Sequence, residues 1–385
     1  MSVNDPNIPQ SEYDRRWNVA LAALSEAGLD GICITSRQSL LYFTGYDGRA
    51  ADMTPFPLII APGRPRTIVV RFMDRLSVLH ESIPLEVETY FAGREDCTRG
   101  WAETLRKLDL GAARIGLELD NWGLAPRDLD GLREALPDLQ ISDVTPLVGR
   151  LLDLKSDVEI NCLKRAQRVT DVAYEAFYEA IVPGATEASI ENSMRATMEE
   201  NGANFVPVDT NLLIGERTIL PHGFAGENKL KPGDPVTVET GAFVSGYAGG
   251  MSRTALYGEN AHVQRLHDAA DGAVRAAIEA ARPGAVSGDV DEAGRSVVRA
   301  AGYGDAFHHR IGYSIGLGWN NRCAFSVCPD GERKVEESMV LHLICFLYDH
   351  AEKVGAVTSD SVIIGATGNE ILSRLPRDLR RIAAV

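Results

Sequence analysis

The chain has 385 residues and a net charge of −15, with 45% hydrophobic and 24% charged residues, enough for two separately cored domains of ordinary globular composition. That acidic balance excludes the basic surface that a nucleic-acid partner demands. No apolar run approaches the roughly 20 residues of a membrane span, so no membrane partner is expected either.

The start, MSVNDPNIPQSEYDRRW, lacks the basic beginning and apolar centre of a signal peptide. Six cysteines form no paired framework, and CAFSVC (Cys323 to Cys328) has no second pair, so reduced thiols in a cytoplasmic protein are expected. SEYDRRWNVALAALSEAGLD carries apolar residues at helical spacing and stops at Gly28. GICIT, PLIIAPGRPRTIVVRF and ARIGLELD read as strands, so residues 1–152 are expected to form a small α/β layer. LVGRLLDLKSDVEIN marks the boundary, where Ser156 with Glu159 forms a capping box that opens a long helix.

Residues 153–385 repeat themselves. AIVPGATEASIENSMRATMEENG (180–202) aligns with AARPGAVSGDVDEAGRSVVRAAG (280–302), so that Pro183-Gly184-Ala185 matches Pro283-Gly284-Ala285. KLKPGDPVTVETGA (229–242) then lies over KVEESMVLHLICFL (334–347), which sets Glu239 opposite Ile344. Matched breaks and strand starts point to a duplicated helix–strand unit, with a central site between pseudo-two-fold halves. Within TVETGAFVSGYAGGMSRT, two strands place Glu239 on the first and the Gly249-Gly250 pair on the second.

LPHG (220–223), KPGDPVTVETGA, GYAGGMSRT and HRIGYSIGLGW (309–319), with YFTGYDG near the N-terminus, together resemble the creatinase, prolidase and aminopeptidase P family. The resemblance implies an α/β (α+β) fold: a creatinase-like N-terminal domain followed by a duplicated pita-bread domain. In the metallopeptidases of that family two aspartates, a histidine and two glutamates hold a pair of ions. Carried over by position, these fall on Glu239, Gly250, Tyr313, Ile344 and a residue at or next to Ser359. A glycine, a tyrosine and an isoleucine cannot supply the missing ligands, so no metal and no other cofactor is expected. The pattern is most similar to the metal-independent branch that includes creatinase and ectoine hydrolase. Creatinase keeps a histidine where this chain has Asn320.

His222 matches the family's catalytic histidine; an imidazole can take a proton from water and return it to a leaving nitrogen. Glu239 reads either as a buried acid ion-paired with Arg253 across the hairpin, or as the catalytic carboxylate that Arg253 orients. Tyr313 is expected to point its hydroxyl into the cavity as an oxyanion donor. Trp319 would line the site as an apolar wall or a cation-binding face, with Tyr247 and His342 beside it. His309 reads equally as a substrate contact and as a structural residue. The resemblance further implies a homodimer in which Arg49, Met53 and Phe56 reach over the partner's cavity. The Gly249-Gly250 pair is expected to leave open space, in a cavity with Glu239 as its anion and Arg253 as its partner. The expectation is a metal-independent hydrolase acting on a C–N bond of a small amidine, guanidine or amide. A metal-dependent Xaa-Pro peptidase, a lyase on the same frame and a non-catalytic binding protein are the alternatives.

Overall fold

The computed structural model describes residues 7–94, 96–204, 210–319 and 324–384. The chain divides into two compact units at the step from Leu152 to Asp153.

The N-terminal unit is a mixed sheet flanked by helices. Its strands are β1 (Gly31–Ile34), β2 (Leu58–Ile60), β3 (Thr67–Arg71), β4 (Glu86–Tyr90), β5 (Arg114–Leu117) and β6 (Gln140–Asp143), in the order β4-β3-β2-β1-β5-β6. Strand β1 runs antiparallel to β2 and parallel to β5. The first helix, α1 (Gln10–Glu26), ends as expected before Gly28, whose φ of +66° suits a residue without Cβ. Helices α2 (Arg37–Thr44), α3 (Arg75–Glu81), α4 (Cys97–Lys107), α5 (Pro126–Ala135) and α6 (Thr145–Asp153) follow. Trp101, Leu105 and Leu132 from α4 and α5 share a buried core with Cys33, Ile59, Val69 and Ile115 of the sheet.

The expected duplication is visible in the second unit. Helix α7 (Asp157–Ala180) opens on the capping box: Ser156 Oγ accepts from the Glu159 N–H at 3.3 Å and Glu159 Oε2 from the Ser156 N–H at 3.0 Å. It stops ahead of Gly184 (φ +83°), and α8 (Glu187–Glu200) stops ahead of Gly202 (φ +90°). The second copy, α9 (Ala261–Ala280) and α10 (Ser287–Ala300), stops ahead of Gly284 (φ +88°) and Gly302 (φ +87°). In one half Thr186 bridges Lys229; in the other Val286 bridges Lys334.

The strands of this unit are β7 (Asn211–Ile214), β8 (Pro235–Thr240), β9 (Phe243–Val244), β10 (Tyr247–Ala248), β11 (Met251–Tyr257), β12 (Gly312–Ser314), β13 (Ser326–Val327), β14 (Val340–Asp349), β15 (Val354–Ile363), β16 (Glu370–Ile371) and β17 (Arg380–Ile382). They form one sheet in the order β17-β11-β8-β7 and another in the order β13-β12-β14-β15-β16. The sheets meet where Ser359 Oγ of β15 accepts from the Ser252 N–H of β11 at 2.7 Å and Thr254 Oγ1 donates to Val357 O at 2.9 Å. Strand alternation sorts the side chains of each half. Val236 and Val238 join Tyr174, Ile190 and Met194 of the helices in one core; Leu341, Leu343 and Cys345 join Leu266, Val274 and Val290 in the other. Glu239 on β8, and Ile344, Phe346 and Tyr348 on β14, are thereby left to face a cavity. Among the described residues, no helix is long and apolar enough to cross a membrane.

Candidate active site

The cavity lies within the second unit and has a volume of about 800 Å³. Its walls are largely apolar and aromatic, with Phe243, Trp319, Ile344, Phe346 and Tyr348 around Glu239. Phe346 and Tyr348 stack at 4.3 Å between ring centroids. Burial among such groups disfavours the charged carboxylate and pushes Glu239 up to about 7, opposed only by a hydrogen bond from the Tyr313 hydroxyl. The Tyr313 hydroxyl accepts from the Trp319 indole N–H at 2.8 Å. Burial, with the Glu239 carboxylate beside it, raises Tyr313 far above the usual phenol range. Trp319, Tyr313 and Glu239 therefore form one chain of hydrogen bonds. With the Trp319 N–H on its oxygen and the Glu239 carboxyl group beside it, Tyr313 positions the carboxylate rather than offering the free oxyanion donor expected from sequence.

His222 lines the rim of the same cavity. Its φ of +55° is an uncommon backbone conformation for a residue with a side chain, held by the turn after the short helix Gly215–Ile219. His309 also lines the cavity, but both ring nitrogens are engaged by backbone. Nδ1–H donates to Arg310 O at 2.7 Å, and Nε2 accepts from the Phe346 N–H at 3.1 Å. Burial depresses its basicity, so it is a neutral structural pin rather than a polar substrate contact.

The remaining expected site residues lie elsewhere. Arg253 does not pair with Glu239. In the β8–β11 register Glu239 lies opposite Ser252, while Arg253 lies opposite Val238 and points to the other face. There it bonds Asp360 Oδ1 at 2.9 Å, Ser252 O at 2.9 Å and Ser359 O. It is a buried structural cation. Tyr247 is wholly buried and bonds Glu159 Oε1 of the α7 cap at 3.0 Å, away from the cavity wall. His342 is also wholly buried, 5.5 Å from the Tyr313 ring and 5.6 Å from Trp319; it backs these residues instead of touching the cavity. In the N-terminal unit Arg49 and Met53 are exposed, but Phe56 is fully buried beneath Arg71 and cannot reach over any neighbouring cavity. Asn320 falls outside the described residues.

The glycine pair is not open space. A Cβ on Gly249 would stand 2.5 Å from the α7 backbone at Ala166, and one on Gly250 would stand 2.6 Å from Ile315 and 3.1 Å from Trp319. Gly249 lets the hairpin pack against α7, where Thr170 Oγ1 donates to its carbonyl at 2.7 Å. Asn211, outside every motif read from the sequence, and Arg310, which lies within HRIGYSIGLGW but carries no expected role there, also line the cavity. Asn211 is the cross-strand partner of Glu239, a proximity that only the β7–β8 register reveals.

The sequence model of metallopeptidase family M24 matches residues 161–366, more than half the chain, and that of the creatinase/prolidase N-terminal domain matches residues 16–151. The chain belongs to family M24. It is 26% identical to the putative dipeptidase YkvY of Bacillus subtilis, over 92% of this chain and 96% of that protein. Among solved structures it resembles the dipeptidase PepE from Mycobacterium ulcerans, with a TM-score of 0.86 and 26% identity over 97% of this chain and 99% of that one. The Xaa-Pro dipeptidase from Bacillus anthracis gives a TM-score of 0.84 and 25% identity, covering 96% and 100% of the two chains. This M24 chain has the family's pita-bread fold and is related to hydrolases throughout its length.

The donor set in the M24 cavity does not fit a two-ion centre. Of the five positions that the resemblance marks as ligands, Glu239 retains a carboxylate, and its hydrogen bond ties it to Tyr313. Ile344 presents a hydrocarbon, and Ser359 lies buried at the junction of the sheets with its oxygen accepting from Ser252. Trp319 and Ile315 occupy the space beside Gly250. Among the described residues, three ligand-type atoms within mutual reach occur only at Asp96, Cys97 and Asp128 in the N-terminal unit, where both acids cap helices.

Proposed function

We propose that this M24 hydrolase cleaves a C–N bond of a small polar amide, amidine or guanidine without a two-metal centre. The observation that carries the reading is Glu239: a carboxyl group in an apolar cavity, brought to about 7 by burial and held by the Tyr313 hydroxyl. A group that titrates there is populated in both forms near neutral pH, as an acid–base catalyst requires. Ionised Glu239 takes a proton from a water molecule as its oxygen attacks the carbon. The C–N bond then breaks, and the nitrogen leaves with a proton returned by Glu239 or by His222 at the rim. Tyr313 stays protonated throughout and fixes the carboxylate, while the aromatic walls keep bulk water from the leaving nitrogen. The reading takes the protein as a cytoplasmic homodimer with a small-molecule substrate.

A dipeptidase reading has its own support. The relatives are named as peptidases and dipeptidases, which favours a peptide bond over other C–N bonds. One experiment separates the two. Purified protein is offered Xaa-Pro dipeptides with and without manganese, and in parallel small cyclic amidines, guanidino acids and acyl amides, with products read by mass spectrometry. Turnover of the second group, unaffected by chelator, is the expected result. Cleavage of dipeptides that depends on manganese would overturn the proposal and establish the dipeptidase reading.

A further inference from the structure

Among the described residues of the cavity wall, the Arg310 guanidinium has no role in the proposed chemistry. Arg310 donates from Nη1 to Ser326 Oγ at 2.9 Å, and lies with its guanidinium 4.7 Å from the centre of the Tyr313 ring. Among the described residues no carboxylate pairs with it. A guanidinium has five N–H donors in a planar fork, so one bond to Ser326 leaves most of that fork unused. Its plane is fixed on one side by the hydroxyl of Ser326 and on the other by the Tyr313 ring, which limits the entropy lost when an anion binds.

Tyr313 separates this cation from Glu239: its hydroxyl bonds the carboxylate, while its ring carries the guanidinium. Beyond Glu239, on the neighbouring strand, Asn211 lines the cavity with its Oδ1 lacking a hydrogen-bond partner among the described residues, although the residue is only 9% exposed. A buried amide oxygen without a partner is costly unless a ligand supplies a donor. The cavity is therefore polarised, with an anion-binding fork at Arg310, the reacting carboxyl group at Glu239 and a hydrogen-bond acceptor at Asn211.

We propose that Arg310 and Asn211 set the specificity of this site: Arg310 holds a substrate carboxylate, and Asn211 accepts from an N–H on the nitrogen side of the bond that breaks. The substrate class is then a small carboxylate that carries an amide, amidine or guanidine nitrogen. This rests on the proposed C–N hydrolysis for the identity of the bond, but not for the binding of the carboxylate.

The test uses two matched pairs as probes, guanidinoacetate with guanidinoacetamide and N-acetylglycine with N-acetylglycinamide, titrated into the full-length protein by calorimetry at neutral pH. Wild type is expected to bind each carboxylate about 10- to 100-fold tighter than its carboxamide, the range for one charge-assisted contact. Arg310→Gln should abolish the difference, and Arg310→Lys should restore part of it by returning the charge without the fork. Asn211→Leu should weaken both members of a pair alike and leave their ratio intact. Circular dichroism and thermal melting establish that each variant is folded. If Arg310→Gln fails to fold, Arg310→Lys and Asn211→Leu still decide the matter. Equal affinity for acid and amide in wild type, a ratio that survives loss of the guanidinium, or no binding of either carboxylate at millimolar concentration would overturn the proposal. A preserved carboxylate preference without turnover of any C–N compound would leave this assignment standing and remove the hydrolytic reading alone.

Discussion

A Cβ on Gly250 would stand 3.1 Å from Cη2 of Trp319, so the indole already fills the space an acid at this position would need. The same indole donates to Tyr313, and through it the tryptophan is coupled to Glu239.

That coupling predicts that Gly250→Asp does not rebuild a metal site. The new side chain must displace Ile315 or Trp319, at a cost of roughly 1–3 kcal/mol from overpacking alone. Denaturant titration should show the loss, and manganese should bind no better than to wild type. Stoichiometric manganese binding by the single variant would refute this account of the cavity.

Glu239→Gln is expected to cut turnover by roughly 10²- to 10⁴-fold, the usual worth of a general acid–base group. It also predicts a pH effect on stability. The carboxyl group moves from an ordinary value of 4.5 to about 7 on folding, so between these values the folded protein holds more protons than the unfolded chain. Its contribution is therefore fully present below 4.5 and is lost as pH rises through about 7, a change on the order of 3 kcal/mol. Glutamine does not titrate, so the stability of the variant relative to wild type should improve as pH rises through that window. A difference independent of pH would show that Glu239 is not desolvated in the folded protein.

Arg253→Leu should unfold the second unit or weaken it by about 3–5 kcal/mol, because it strands the buried Asp360 carboxylate that Arg253 meets at 2.9 Å. Arg377 also reaches that carboxylate and supplies part of the compensation. Urea titration checks the loss. A stable variant with selectively impaired turnover would return Arg253 to the active site.

The contrast between Arg253 and Glu239 shows how far the sequence could be read. The duplicated scaffold was legible because Pro183-Gly184 and Pro283-Gly284 interrupt the helices at equivalent places, and the motifs around His222, Glu239 and Tyr313 mark out the cavity-lining loops and strands. Facing was not legible. Between β8 and β11 the chain inserts the small β9–β10 hairpin, turned by Ser245 (φ +54°) and Gly246 (φ +83°), and the final register follows from that insertion. A shift of one residue carries a side chain to the opposite face, which separates Arg253 from Glu239. Strand alternation correctly put His342 on the same side as Ile344, yet Tyr313 and Trp319 roof it over. Asn211 reaches the cavity through strand pairing that no local pattern encodes, whereas Arg310 lay within the Tyr313 motif and only its direction was hidden.

His342 supplies the last prediction, and its sign is opposite to that of Glu239. Burial, with the positive charge of Arg253 nearby, drives this imidazole down to about 3. Its Nδ1 meets Ser361 Oγ at 3.2 Å, that hydroxyl donates to Gly250 O at 2.9 Å, and Nε2 has no hydrogen-bond partner among the described residues. Between an ordinary value of 6.5 and about 3, the unfolded chain therefore binds a proton that the folded protein refuses. The stability from this group is fully present above 6.5 and is lost as pH falls towards 3. His342→Phe keeps a ring against Tyr313 and Trp319 and leaves the Ser361 to Gly250 bond in place, but it cannot take up a proton. Its free energy of unfolding relative to wild type should rise steadily as pH falls below 6.5 and be flat above it, the reverse of the trend for Glu239→Gln. Urea titrations of both variants at several pH values separate the two residues, since one slope must climb where the other falls. If His342→Phe shows no pH-dependent gain in acid, the imidazole is protonated in the folded protein, and its place as a neutral prop behind Tyr313 is wrong.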